Sequence, residues 1–315
     1  MTQTFPMVFE LLQVVLVLAL APAFIGWIRM LRCWLRGRTS AGLLQPYRDL
    51  SKLFSKDMVL ADNASWIFRF SPYLVFGVMV LMAGIIPILS TELLLTATAD
   101  VIVLVALFAI ARFFLALAGM DVGTAFGGMG SSREMMVASL AEPAILMAIF
   151  TVSLIGQSTS LSEIGKVLID GEFVLRPSMA FALLAFILIF LAETGRIPVD
   201  NPVTHLELTM IHEAMILEYS GRHLALMEWA HMIKIFNFAA IGIVLFFPWG
   251  ISTSADLAQI PITLVFLAVK LGLVGLGMAL VELPLAKMRL FRVPEFLGAA
   301  FLFATLGMLS YFTME

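Results

Sequence analysis

The chain has 315 residues, of which 61% are hydrophobic and 13% are charged, with a formal net charge of −3. Soluble domains usually carry about 25% charged residues, so this composition excludes an ordinary water-soluble protein and gives no reason to expect a nucleic-acid partner. With a single cysteine, Cys33, the chain can form no intrachain disulfide and cannot ligate an iron–sulfur cluster with cysteines of its own. We expect one membrane domain over residues 1–315, with the lipid bilayer as its main solvent.

Eight apolar stretches predict eight transmembrane helices, because most have close to the ~20 residues that a helix needs to cross the hydrocarbon core. The first ten residues contain Glu10 and no Lys or Arg, which does not fit a cleaved signal peptide, so we expect the first stretch to be a permanent span. The fifth is short and ends in charged residues, so its inner end should face protein or water. The stretches cover residues 7–31, 67–89, 100–119, 134–156, 178–194, 224–249, 259–281 and 295–313. The predicted fold class is therefore all-α and polytopic.

The basic residues predict the orientation of these spans. One connecting segment carries Arg29, Arg32, Arg36, Arg38, Arg48, Lys52 and Lys56 against a single acid, Asp49. By the positive-inside rule this segment is cytoplasmic. We therefore expect a multi-pass protein of the cell's inner (plasma) membrane, with the N-terminus and the C-terminus on the outer side.

Residues 42–55 predict a short helix at the membrane surface. Leu43, Leu44, Leu50, Leu53 and Phe54 fall near one helical face, and the basic residues fall elsewhere. This is the pattern of an amphipathic helix that lies in the interface.

An ionisable side chain inside a span is costly in lipid and is therefore a candidate for function. Glu142 lies among apolar residues near the middle of the fourth stretch, where a desolvated carboxylate can bind and release a proton. Glu228, His231 and Lys234 recur every three residues and form a polar stripe on the sixth helix that suits a proton relay. Lys270 can meet this stripe from the seventh helix. The further ionisable residues in or at the ends of spans are Arg112, Glu193 and Glu282. The structural alternative is an ion-pair network that only fixes helix packing.

Residues 193–222 form the longest inward loop and the most acidic one, with Asp200, Glu207, Glu213 and Glu218. If residues 203–220 are helical, Glu207 and Glu218 lie about three turns apart on one face, where a carboxylate pair can hold a shared proton. His205 and His212 would share a face roughly opposite. Because no HExxH or comparable spacing is present, we expect no metal site.

The glycine-rich residues 119–134 lack the Lys-Ser/Thr ending of a phosphate-binding loop. We expect them to form a flexible inward loop that ends in a helix capped by Ser131, with Glu134 three residues later. The sequence contains no Ser/His/Asp arrangement and no soluble catalytic domain, so we expect no catalytic centre in this chain.

Three segments resemble one family of membrane subunits. GLLQPYRDLSKLF (42–54) resembles the interfacial segment after the first helix of the complex I subunit that is often called subunit 1. SSREMMVASLAEPAILM (131–147) resembles that family's fourth helix with its embedded glutamate. AETGRIPVDNP (192–202) with LEYSG (217–221) resembles the family's acidic loop. The resemblance extends over essentially the whole chain.

The resemblance implies a subunit that joins a peripheral redox arm to an ion-pumping membrane arm. It implies that Glu142, Glu193, Asp200, Glu207 and Glu218 belong to a path for protons or ions, to which we add Glu213, Glu228, His231, Lys234 and Lys270. It implies that residues 42–54, with Arg48, Asp49 and Lys52, abut the redox arm, and Arg196 is placed at the same interface.

Several departures from the complex I pattern indicate a particular branch. The chain has RGRTSAG where complex I members carry Arg-Gly-Pro-Asn, and it has Val203 and His205 where two acids are expected. The stretches GMDVGTAFGGMGSSRE and LEYSGRHLAL resemble the formate-hydrogenlyase and hydrogenase-4 branch of membrane-bound nickel-iron hydrogenases. This branch implies no cofactor in the chain itself, with a nickel-iron centre and iron–sulfur clusters in partner subunits. The implied partners are the hydrogenase large and small subunits, iron–sulfur subunits and antiporter-like membrane subunits.

Three alternatives stay open at this point. The chain can be a quinone-chamber subunit of a respiratory complex I, that is, of an NADH-quinone oxidoreductase. It can be a stand-alone secondary transporter that uses the same buried acids, or an anchor with a structural role only. The ion, proton or sodium, is not decided by the sequence.

Overall fold

The structure, a computed structural model, describes residues 4–92, 95, 98–170, 176–196, 199–200, 210–252, 259–285, 288 and 292–314. Within these ranges the chain forms helices and no named strand. In chain order they are α1 (Thr4–Leu35), α2 (Gln45–Phe54), α3 (Trp66–Ile85), α4 (Val101–Asp121), α5 (Ala125–Gly156), α6 (Leu161–Asp170), α7 (Pro177–Glu193), α8 (His212–Ile216), α9 (Gly221–Phe246), α10 (Ile260–Glu282) and α11 (Val293–Met314).

Eight of these helices correspond to the eight predicted spans. Among the described residues, seven helices are long and apolar enough to cross a membrane, and α7 is a shorter apolar helix of 17 residues. The fifth stretch is thus confirmed as a short apolar helix, and its charged end, Glu193, is buried in protein. The chain is an all-α, multi-pass membrane protein.

The bundle has two ends: we call the end at which α2 lies the α2 side and the opposite end the far side. The α2 side holds the end of α4, where Asp121 accepts hydrogen bonds from the backbone and side chain of Ser65 at the start of α3. The far side holds the end of α5, where Leu154 accepts a hydrogen bond from Tyr311 near the end of α11. The first helix begins and the last one ends on the far side, as an even number of spans requires. Which side faces the cytoplasm stays a prediction.

Helix α9 lies at the centre of the bundle, since 78% of its most apolar 18-residue stretch is buried. It packs against α1 and α3, while α11 packs against α5 and α7. Gln13 on α1 shows how a buried polar group is satisfied in this core: it is fully buried, and its amide donates to Ile86 at 2.7 Å and accepts from the backbone of Leu89 at 3.2 Å. In a bilayer such pairing is required, because no water is present to replace it.

The predicted amphipathic helix is confirmed as α2, although it begins at Gln45, so Leu43 and Leu44 precede it. Leu50 is buried, and Phe54 packs edge-on against Trp229 of α9 at 6.2 Å between ring centroids. The apolar face therefore fixes α2 to the bundle.

The LEYSG segment joins α9 to the connection between α2 and α3. The Ser220 hydroxyl accepts a hydrogen bond from the Val59 amide at 2.9 Å and donates one to the Val59 carbonyl at 2.8 Å. Gly221 has a positive φ of 52°, and a Cβ there would lie 2.7 Å from the Asp57 carbonyl oxygen. Glycine is therefore needed for both conformation and space.

The prediction of a flexible glycine-rich loop over 119–134 was wrong. Helix α4 continues to Asp121, and α5 already begins at Ala125 with Thr124 as its N-cap. A Cβ on Gly127 would lie 2.0 Å from the carbonyl oxygen of Gly119, so glycine here permits close helix packing. Ser131 is not a cap, since it is buried inside α5 and donates to Ala116.

The continuous helix over 203–220, on which the shared faces depend, is not present in the part that the structure describes. Helix α8 covers only His212–Ile216, and Glu218 lies in the turn that follows. Glu207 and His205 lie outside the described residues, so the predicted shared faces are not tested. Helix α6 was not predicted, although Leu161 and Ile164, both fully buried, already follow helical spacing.

Candidate functional site

Arg112 of α4 lies at the centre of a cluster of carboxylates inside the bundle. Its side chain is 5% exposed. Its Nη1 lies 2.9 Å from Oε1 of Glu142, and its Nε lies 3.6 Å from Oε1 of Glu134, both on α5. Its Nη2 donates to Oε2 of Glu193, at the end of α7. The planar guanidinium can serve three carboxylates at once because its donors point in fixed, separate directions.

Lys234 extends this cluster to the central helix α9. Its Nζ lies 3.2 Å from Oε2 of Glu193, the same oxygen that Arg112 contacts. We call Arg112, Glu134, Glu142, Glu193 and Lys234 the central network. It joins four helices and holds two cations against three carboxylates, so it can accept one further proton or cation before its charges balance.

A second cluster lies at the α2 side around Glu282, the last residue of α10. Glu282 is fully buried, with Oε2 2.9 Å from Nη1 of Arg32 and Oε1 3.4 Å from Nη1 of Arg196. Burial lowers the pKa of Arg196 to about 10, and the Glu282 carboxylate opposes that shift. The cluster ties α1, α10 and the segment after α7 together.

A cleft of about 500 Å³ opens beside this second cluster. Helix α1 has 32 residues and is about 48 Å long, which exceeds the ~30 Å of a hydrocarbon core, so its last turns can form a wall outside the lipid. The ionisable residues that line the cleft are Arg29, Arg32, Arg36, Arg38, Arg196, Glu213, Glu228 and His231.

Helix α8 is held between the cleft and the central network. Asp200, which is buried, accepts hydrogen bonds from the backbone amides of Ile211 at 3.1 Å and His212 at 3.3 Å. This contact sets the start of α8, so that the ring of His212 stacks on the ring of His231 of α9 with centroids 4.2 Å apart. Burial lowers the pKa of His212, and the neighbouring Glu213 opposes the shift.

Two small cavities, of about 20 and 30 Å³, adjoin the stacked rings. Both are lined by Glu134, His212, His231 and Lys234. Each is large enough for one or two water molecules, which need about 10–15 Å³ apiece. The polar groups of the cleft and the central network are thus separated by water-sized spaces.

The structure brings most of the sequence candidates together in two places. Glu142, Glu193 and Lys234 meet at Arg112, while Glu213, Glu228, His231 and Arg196 line the cleft. On α2, Arg48 and Lys52 are exposed, and Asp49 lies 3.9 Å from Arg29. Contact of these three residues with a redox arm stays a prediction.

Two candidates lie elsewhere. Lys270 does not meet the polar stripe: its Nζ donates to the Phe247 carbonyl at 2.6 Å, at the far-side end of α9 and about 20 Å along that helix from Lys234. The reason is helix register, since Lys270 lies in the half of α10 that is nearer the far side. Glu218 lines none of the cavities that the described residues form around the network. Glu207 lies outside the described residues.

The sequence did not reveal that Arg112 lies at the centre of the network or that Glu134 belongs to it. It also did not reveal the cluster of Glu282 with Arg32. Arg112 and Glu282 were noticed as charges in spans, and this was the available signal. Glu134 was interpreted as a capping residue because its segment was expected to be a loop. Among the residues that the structure describes, no group of three or more His, Cys, Asp or Glu side chains is arranged to hold a metal ion.

The family described as NADH dehydrogenase matches residues 9–313 of the chain. The chain belongs to this family. Formate hydrogenlyase subunit 4 of Escherichia coli K12 is 33% identical over 302 residues, which are 96% of this chain and 97% of that protein. Hydrogenase-4 component C of the same organism is 32% identical over 306 residues, 97% of this chain and 96% of that protein. The resemblance seen in the sequence is confirmed, including its branch.

More distant members of the family include NADH-quinone oxidoreductase subunit 8 of Rhodothermus marinus. It is 28% identical over 214 residues, which are 66% of this chain and 61% of that protein. Among solved structures, a chain of the membrane-bound sulfane sulfur reductase, an archaeal respiratory membrane complex, superposes with a TM-score of 0.85. It is 20% identical, and the match covers 96% of this chain and 98% of that chain, so the fold is shared along its whole length.

Proposed function

We propose that this chain is the membrane-anchor and ion-coupling subunit of a membrane-bound hydrogenase complex of the formate-hydrogenlyase and hydrogenase-4 type. It links a peripheral electron-transfer arm to the translocation of protons or sodium ions. The two relatives that match almost the whole chain carry the names of such complexes. The central network is the observation that supports a coupling role.

The central network suits coupling because its charges are costly in the membrane and are arranged across four helices. A carboxylate cluster shared by two cations can gain or lose a proton when the field around it changes. Electron transfer in a neighbouring arm changes that field, and the free energy of coupling is reciprocal between the two sites. The acidic and basic side chains of the cleft give the arm a polar surface near the start of this path.

In this proposal the partners are the hydrogenase large and small subunits, iron–sulfur subunits and antiporter-like membrane subunits. The nickel-iron centre and the iron–sulfur clusters belong to those partners, and the chain itself binds no nickel, iron or flavin. It is part of an oxidoreductase complex without a catalytic centre of its own. The basic residues on the α2 side support a cytoplasmic position for that side, in a complex held by the inner membrane.

The cleft supports one alternative, a quinone-reducing complex of the NADH-quinone oxidoreductase kind. A volume of about 500 Å³ falls in the range of small-molecule sites. However, eight of its 18 lining residues are acidic or basic, namely five arginines, two glutamates and a histidine, whereas small-molecule pockets usually contain only a few polar groups. We therefore keep the hydrogenase assignment first.

Purification of the chain from native membranes tests the proposal directly. Recovery with a nickel-containing large subunit and hydrogen evolution would support it, whereas a nickel-free complex that reduces quinone would support the alternative. Recovery of the chain alone, with ion flux in liposomes, would favour a secondary transporter and reject both.

Within the purified complex, Glu142→Gln tests coupling separately from assembly. We expect ion movement per electron to fall at least about tenfold while electron transfer persists. Glu92→Gln is the matched control, because Glu92 is an exposed far-side acid that lies 3.8 Å from Lys166. Unchanged ion movement in assembled Glu142→Gln would leave the chain with a structural role only.

A further inference from the structure

We propose that the ion that passes from the cleft into the central network is a proton, and that His231 relays it. This inference rests on the proposed function and narrows it, since coupling by itself is compatible with protons or sodium ions. It is drawn from the position of His231 between three cavities.

His231 is the one described residue whose side chain lines the cleft and both small cavities. Gly195 lines the cleft and one small cavity but has no side chain. Glu213 and Glu228 lie on the cleft side only, whereas Lys234 and Glu134 lie on the side of the small cavities only. Among the described residues, the imidazole of His231 is thus the side chain that borders all three spaces, and we infer the route through it.

His212 completes this junction. Its ring stacks on that of His231 at an interplanar angle of 27°, which sets the planes of the two rings. Its Nε2 is buried without a hydrogen-bond partner, and its ring lines both small cavities. A buried nitrogen of this kind is costly unless a water or a proton donor reaches it for part of the time.

The small cavities suit a proton carried by water better than a sodium ion with its shell of ligands. At about 20 and 30 Å³ they admit one or two waters each, which can carry a proton along hydrogen bonds. A hard metal cation needs a shell of about six oxygen ligands. Both cavities are lined by two imidazoles and the ammonium group of Lys234, and they also contain carboxylates: Glu134 in both, with Glu193 and Asp200 in the smaller one. These carboxylates are already engaged, since Glu134 and Glu193 face Arg112 and Asp200 accepts two backbone hydrogen bonds, so they leave few oxygens for such a shell.

The transfer conserves protons and leaves His231 unchanged. One ring nitrogen accepts a proton from a water or from the acid form of a cleft carboxyl, Glu228 or Glu213. The other ring nitrogen releases its proton to a water in the small cavity, from which it can reach the carboxylate of Glu193 or Glu134. A half-turn of the ring about its Cβ–Cγ bond then exchanges the positions of the two nitrogens and restores the starting state without returning a proton to the cleft.

The test uses the purified holo-complex in liposomes, with electron transfer, proton movement and radioactive sodium uptake measured together. The variants are His231→Ala and, with closer volume, His231→Gln. The matched control is His223→Ala, because His223 is a buried histidine on the same helix that packs against Tyr73 and lines none of the three cavities. We expect proton movement per electron to fall at least about tenfold in both His231 variants and to persist in the control.

Rescue by free imidazole, added on the cleft side, distinguishes a relay from a packing role. If His231 only packed the helices, added imidazole would not restore proton movement. The cleft can admit it, so we expect it to restore proton movement in His231→Ala. Wild-type coupling in both His231 variants would overturn the inference, and so would a loss that imidazole does not restore. Sodium uptake that persists with a protonophore in the wild type and disappears in His231→Ala would also overturn it. A wild-type complex that transfers electrons and moves no ion would instead reject the proposed function.

Discussion

Arg112 of α4 and Glu142 of α5 lie in contact, with Nη1 and Oε1 2.9 Å apart, yet their side chains differ in exposure, 5% for Arg112 and 37% for Glu142. Glu142 thus links the interior of the bundle to its outer surface within a membrane span. A carboxylate that faces lipid is costly, so the complex should cover this face with protein.

The surface beside Glu142 should be protected in the complex. Ser139 lies three residues earlier on α5 and is exposed in the isolated chain. With Cys33 replaced by serine, Ser139→Cys should react readily with a membrane-permeant maleimide in the isolated chain and much more slowly in the complex. Val269→Cys, on an exposed face of α10, is the comparison for a lipid-facing position. Equal labelling of Ser139→Cys in both preparations would show that this face is not an interface.

Removal of Arg112 should destabilise the fold more than any change at an exposed arginine. Arg112→Leu leaves Glu193 buried beside Lys234 alone and leaves Glu134 and Glu142 without a partner at this site. Breaking a buried ion pair by removing one partner costs about 3–5 kcal/mol. Thermal unfolding in detergent measures this, with the exposed Arg69→Leu as control. Arg112→Lys should recover part of the loss, because lysine keeps the charge without the planar fork.

The Glu282 cluster should behave as one unit. Glu282→Leu leaves two arginines without their shared carboxylate, of which Arg196 is buried, and should cost about 3–5 kcal/mol. A double-mutant cycle between Arg32 and Glu282 should give a coupling energy of about 1–3 kcal/mol. The same cycle on the exposed pair Lys166 and Glu92 should give less than about 1 kcal/mol. Equal coupling in the two cycles would contradict the burial argument.

Glu213 should make the stability of the chain depend on pH. Burial raises its pKa above the ordinary value of 4.5, the charge of His212 opposes this shift, and repulsion by Glu228 adds to it. A raised pKa means that the folded state holds the proton more tightly, so this stabilisation is present below pH 4.5 and is lost as the pH rises through the folded-state value.

Glu213→Gln, which resembles the protonated acid, should therefore unfold at a higher temperature than the wild type near neutral pH. The difference should shrink as the pH falls toward 4.5. Thermal unfolding across this range measures it. A difference that is constant with pH, or that grows in acid, would disagree with the predicted direction.

Much of the fold follows from the sequence because lipid leaves few choices. Where water is absent, the backbone must satisfy its own hydrogen bonds, so apolar stretches of span length become helices. This is why the eight spans and the amphipathic helix α2 could be predicted, and why Glu142, Glu193 and Lys234 could be recognised as costly charges. The motifs GLLQPYRDLSKLF and LEYSG are contiguous in the chain, so they could be read directly from the sequence and indicated the family.

Tertiary structure decided which charges meet. The position of Arg112 among Glu134, Glu142 and Glu193 depends on the relative rotation of α4, α5 and α7, which no local pattern encodes. The same holds for Lys270, whose distance from Lys234 is a matter of register between α9 and α10. The glycines before Glu134 were interpreted as flexible because a sequence does not reveal that Gly127 lies against the Gly119 carbonyl. Helix formation is local and is determined by composition, whereas the network depends on how the helices pack against each other over long separations in the chain.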